Sequence, residues 1–157
     1  MTEQPNSASV PTPPGGQSMA VRAGGTGDVT ATHILWQQKK GTNVGSPVIL
    51  DGHLYFANDS RGVALCLKAD TGDVVYEQPL PPKRDRWYAS PVLAAGRLYY
   101  VSRTAGTAVL SAKPQFEVLA TNVIADDTSV FNGSPAMADN QIFLRSNRYA
   151  YCLAAKR

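Results

Sequence analysis

Apolar and polar positions alternate with a period of two in several short runs of the chain. In "HLYFA", His53 to Ala57, Leu54 and Phe56 fall on one side and His53 and Tyr55 on the other. The same run recurs with Leu98/Tyr100 opposite Arg97/Tyr99, and again with Ile142/Leu144 opposite Gln141/Phe143. A period of two predicts strands. Large apolar or aromatic groups on both sides predict sheets covered on both faces, as when one sheet is stacked between two others.

Each run is preceded by a turn pair, Asp51-Gly52, Ala95-Gly96 or Asp139-Asn140, and each turn by "SPVIL", "SPVLA" or "SPAMA", starting at Ser46, Ser90 and Ser134. These starts are spaced by 44 residues. Gly and Asn tolerate the positive φ that two-residue hairpins need, so three hairpins are predicted. A third strand is predicted at Val63–Leu67, Thr107–Ser111 and Tyr149–Leu153, with two residues lost from the turn before the last copy. A fourth is predicted at Asp73–Glu77 and Glu117–Thr121. Four antiparallel strands repeated in tandem at this period describe a propeller blade. A sandwich of three hairpins is the alternative, but it does not require so constant a spacing.

The fold class is therefore all-β, a partial propeller of about three four-stranded blades. Blade 1 spans 45-79, blade 2 spans 88-122, and blade 3, at 133-155, lacks its outer strand. A further strand is predicted at 29-37, where Ile34-Leu35-Trp36 matches Val74-Val75-Tyr76 of blade 1. The blades fill 19-157, and residues 1-18, rich in Pro, Ser and Gly, form a flexible lead-in. Closed propellers need ~4 to 8 blades, so an open arc is expected. Either it is the tail of a longer propeller, or the Thr32–Gln37 strand of one copy completes the last blade of the next, head to tail.

Bulk composition narrows the class further. The chain has 157 residues, 43% hydrophobic and 17% charged, with 13 Gly and 11 Pro, which suits a turn-rich β protein and disfavours disorder. Its net charge of +3 is scattered, and the densest cluster, "KRDR" at Lys83 to Arg86, contains an acid. A nucleic-acid surface calls for a basic stripe, so none is assigned. No apolar run approaches the roughly 20 residues of a membrane span, and the first residues show no cationic and apolar export signal. The compartment is left unassigned.

The stretch "SPVILDGHLYF…VALCLKADTGDVVY" resembles the repeat of the pyrroloquinoline-quinone-like, or quinoprotein-like, propellers of bacteria over roughly residues 20 to 155. "AVRAGGTGDVTATHILWQQKKG" resembles the join between blades in non-catalytic exported members of that group. The resemblance implies a longer parent propeller of which these are C-terminal blades. In catalytic quinoproteins the blades carry AxDxxTGxxxW, the Trp of one blade stacking on a peptide of another. Here Thr71-Gly72 are kept, while Cys66, Lys68 and Tyr76 stand at the Ala, Asp and Trp places, and Gln115-Phe116 replace Thr-Gly in blade 2. The family's adjacent Cys pair and carboxylate cage for Ca²⁺ find no counterpart, so PQQ and Ca²⁺ are implied by resemblance alone.

Candidate reactive residues are few. Cys66 and Cys152 take equivalent third-strand places in different blades, too far apart for a bridge, and are read as buried free thiols. His33 and His53 lie on separate strands without a partner at ligand spacing. Asp126-Asp127, in "IADDTSV", is read as a solvated loop or turn cap, Trp36 as core and Trp87 as blade-to-blade packing. "TGDV" and "GGTGD" lack the spacing of a phosphate loop. No catalytic, cofactor-binding or metal-ligating residue is assigned. The expected function is that of a non-catalytic scaffold or protein-binding module that meets a protein partner, or itself, through open blade edges. The alternatives are a fragment of a quinoprotein oxidoreductase and a truncated remnant without independent function.

Overall fold

The computed structural model describes residues 16–82 and 85–154. Of the expected lead-in, residues 1–15 lie outside the described residues, and Ser18 already belongs to a strand.

Four antiparallel sheets follow one another along the chain. The first pairs β1 (Ser18–Val21) with β2 (Ile34–Gln38), and a single helical turn, α1 (Thr30–His33), leads into β2. The strand expected at 29-37 is present only over Ile34–Gln38, because Thr30–His33 form the helical turn instead, and it has a partner that had not been foreseen. The second sheet orders β3 (Val48–Leu50), β4 (His53–Asn58), β5 (Val63–Lys68) and β6 (Val74–Pro79). The third repeats it with β7 (Val92–Ala94), β8 (Arg97–Val101), β9 (Thr107–Ser111) and β10 (Val118–Asn122). The last holds β11 (Ala136–Ala138), β12 (Gln141–Arg145) and β13 (Ala150–Ala154). The second, third and last sheets are called blades 1, 2 and 3, and β1–β2 the leading sheet. Among the described residues no helix is long and apolar enough to cross a membrane.

The hairpins form for the reason expected. Asp51 and Gly52, Ala95 and Gly96, and Asp139 and Asn140 all have positive φ, between 46° and 73°. Two such residues in succession make the type I′ turn whose twist matches its flanking strands. The next turn of each blade is capped by a buried polar side chain at an equivalent place. Asn58 Oδ1 accepts from Arg61 N at 2.9 Å, Ser102 Oγ from Ala105 N at 2.8 Å, and Ser146 Oγ from Tyr149 N at 3.1 Å.

The third strands correct the predicted register. His53 faces Lys68, Arg97 faces Ser111 and Gln141 faces Ala154, so these third-strand positions recur every 43 residues. One residue is lost in each turn, in place of two in the last. Cys66 therefore matches Val109 and Cys152, and these lie opposite Tyr55, Tyr99 and Phe143. A slip of one residue would have turned every side chain to the other face.

Successive sheets bury one another. Phe56, Leu65 and Leu67 of blade 1 pack with Trp36 of the leading sheet. Tyr55, Ala64, Cys66 and Tyr76 on its other face meet Leu98, Tyr100, Ala108 and Leu110 of blade 2, with Trp87 and Leu80 from the connection between them. Val101 and Phe131 meet Leu144, Ile142 and Tyr151 of blade 3. At ~25 cal/mol per Å² of apolar area, burial of this kind is the main favourable term in folding.

Candidate functional site: the uncovered end faces

Three devices repeat from sheet to sheet and define what a neighbouring sheet has to supply. The first runs through the opening serines: Ser46 N–H donates to Ser90 Oγ at 2.8 Å, and Ser90 N–H donates to Ser134 Oγ at 2.9 Å. Ser90→Ala removes one of these acceptors, and a loss of about 1 kcal/mol in denaturant unfolding is expected. The second is a pair of backbone bonds, Trp87 N to Asp59 O at 3.2 Å and Phe131 N to Arg103 O at 2.9 Å, which recur at the repeat spacing.

The third device is an aromatic ring laid on the following sheet. Trp36 donates from Nε1 to Ala69 O at 2.9 Å, and its ring lies so close to Gly72 that a Cβ there would approach it to 2.6 Å. A Trp-on-peptide contact is thus present between the leading sheet and Thr71-Gly72 of blade 1. Tyr76 holds the same place one sheet later. There the glycine has become Phe116, and the two rings meet edge-on at 5.6 Å and 70°. Trp36 is core, as expected, but its specific partner was missed. The signal was available, because the Trp had to be sought in the preceding sheet and not in the same one.

The ends of the stack lack such neighbours. On blade 1, Tyr55 and Cys66 are 1% and 0% exposed because blade 2 covers them. Their equivalents on blade 3, Phe143 and Cys152, face away from blade 2, and Phe143 is 40% exposed. Cys152 was expected to be buried and is exposed. The cause is that no sheet lies over it, since the same position in blade 1 is buried. At the other end the leading sheet turns Met19, Val21 and Leu35 outward, each about half exposed.

Other residues singled out by sequence are not brought together. His33, in the helical turn α1, pairs its Nδ1 with Thr32 Oγ1 at 2.7 Å, and His53, in β4, pairs its Nδ1 with Asp51 O at 2.8 Å. Trp87 is buried between blades 1 and 2. Asp127 Oδ1 caps Ser129 N at 2.9 Å, and its Oδ2 accepts from Tyr151 Oη at 2.6 Å. Among the described residues no three His, Cys, Asp or Glu side chains converge on a point where a metal ion would sit. The described residues do not fit a quinone with Ca²⁺: the two thiols lie in different sheets, and among these residues no carboxylate cluster forms an oxygen cage.

No family model matches the chain, and no curated protein does. Its structure is similar to that of BamB from Moraxella catarrhalis, with a TM-score of 0.57 and 14% identity over 72% of this chain. A second solved structure, of the computationally designed Ika8 protein, aligns over 73% of the chain at 10% identity with a TM-score of 0.49. The chain spans about a third of each, 34% in both cases. The likeness to BamB shows the fold, a stack of β-propeller blades.

Proposed function

We propose that this chain is a non-catalytic propeller module that docks further sheets on its uncovered end faces and so acts as an assembly scaffold. The observation that carries this reading is the contrast between Tyr55 and Cys66, buried under the next blade, and Phe143 and Cys152, which repeat them in the open. Water-exposed aromatic and apolar groups at a place on a repeat that another blade buries in the first copy mark a contact surface.

The occupant we assign is a second copy, head to tail. Its leading sheet brings Met19, Val21 and Leu35, apolar and about half exposed, against Phe143 and Cys152. Such a heterologous contact propagates the same stacking seen inside the chain. An enzyme fragment would need a cofactor cage that these residues do not make.

Sedimentation over a concentration series tests the reading. The wild-type chain, of 16.8 kDa, is expected to sediment as a dimer or larger at tens of micromolar, while Phe143→Glu and Leu35→Glu each give monomers. Cys152 is expected to react with a maleimide more slowly as concentration rises. A wild-type monomer throughout, with Cys152 equally reactive at every concentration, would refute self-docking.

A further inference from the structure

The two inter-blade interfaces differ at matched positions, and the one between blades 2 and 3 holds a cavity at some of them. The pairings of Cys66 with Tyr76 and of Val109 with Ala120 make Tyr76 and Ala120 equivalent. By the same repeat Tyr100 corresponds to Leu144, Trp87 to Phe131 and Leu80 to Ile124. Three of these changes, Tyr to Ala, Tyr to Leu and Trp to Phe, remove side-chain volume between blades 2 and 3. Tyr151 replaces Ala108 and adds volume, but its ring stacks on Phe131 at 6.2 Å and its hydroxyl is drawn to Asp127.

What remains is a cavity of about 170 Å³, open to solvent on one side. Tyr99, Val101, Ile142, Leu144 and Leu153 make its apolar wall, and Asp127 contributes a carboxylate. A void of roughly 150 Å³ lined by such groups takes up a benzene-sized molecule. Asp127 remains ionised well below the usual carboxylate range, because Ser129, then Ser146 and Tyr151, hydrogen-bond to it. Its negative charge, at the wall of the cavity, favours a cationic group on a ligand.

We propose that the cleft between blades 2 and 3 is a binding site for a single-ring aromatic molecule bearing a cationic amine placed beside Asp127. The ring occupies volume beside Leu144 and Phe131, which stand where the larger Tyr100 and Trp87 fill the preceding interface. An anionic ring compound is rejected by the carboxylate. The site is independent of the end faces, and assembly neither requires it nor is required by it.

Benzylamine is the probe, with phenylacetate as the anionic control. Benzylamine is expected to shift the methyl resonances of Ile142, Leu144 and Val101 while leaving those of Leu54 and Leu98 in place, and phenylacetate to shift none. Asp127→Asn should weaken benzylamine about tenfold, in line with loss of a charge-assisted bond. Leu144→Phe restores bulk to the cavity and should abolish binding. If that variant does not fold, the wild-type methyl map decides alone. Unmoved Ile142 and Leu144 methyls at millimolar benzylamine, equal shifts with phenylacetate, or undiminished binding by a folded Leu144→Phe would overturn the proposal.

Discussion

Gly72→Ala is expected to destabilise the chain by about 2–4 kcal/mol, lowering the thermal midpoint by roughly 10 °C. Two costs add at this residue. Its φ of +74° lies in the left-handed region, where a Cβ costs about 1–2 kcal/mol. The new methyl also falls 2.6 Å from two ring carbons of Trp36, which would have to leave the peptide it covers and strain the Nε1 bond to Ala69 O. Gly52→Ala separates the costs, because Gly52 has φ +73° but nothing within 4 Å of an added Cβ. It should lose only the backbone term. Chemical denaturation of both variants is the measurement, and equal losses would show that the Trp36 contact contributes nothing.

Much of the fold was legible because turns and strand pairs are local. Asp51-Gly52 and its two copies carry the positive φ that their residue types invite, and they pin the hairpins. The third strands were placed correctly but one residue out of step in the repeat. In "VALCL" and "TAVLS" both faces are apolar, so alternation gives no signal against a one-residue slip, and only the pairing partners resolve it. β1 was missed because "SMAV" is too short and too weakly patterned to be distinguished from the Gly-rich join beside it.

The candidate sites were less legible for a different reason. Whether a position on a covered sheet is buried depends on the next sheet, not on its own sequence. Cys66 and Cys152 have the same strand setting and opposite exposures. The inter-blade cavity likewise lies where Tyr100 and Trp87 give way to Leu144 and Phe131, changes on a strand and in a connection that become one observation only when the sheets are stacked.

The interface between blades 1 and 2 should make the protein sensitive to alkali. Tyr55, Cys66, Tyr76 and Tyr100 share one apolar cluster, and the hydroxyls of Tyr76 and Tyr100 are buried without a hydrogen-bond partner in the structure. Burial pushes the Cys66 thiol from 9.0 up to about 11, partly offset by the Tyr55 hydroxyl, and pushes Tyr55 from 10.0 up to about 12. Tyr76 and Tyr100 are raised as well, by burial and then by their neighbours in the cluster. Each group is an acid held in its neutral form by the fold, so the unfolded chain loses its protons first. Their contribution is complete below pH 9, begins to fall as the unfolded thiol and phenols ionise, and is gone once pH passes the folded values. Circular dichroism is expected to show cooperative unfolding between about pH 10 and 12, with the phenolate absorbance of these buried tyrosines rising in step with it. Tyr100→Phe removes one such acid and an unpartnered hydroxyl, and should move the alkaline midpoint upward. Full ionisation of every tyrosine below pH 10.5 with the strand signal intact would mean that the hydroxyls reach water and that this interface is open.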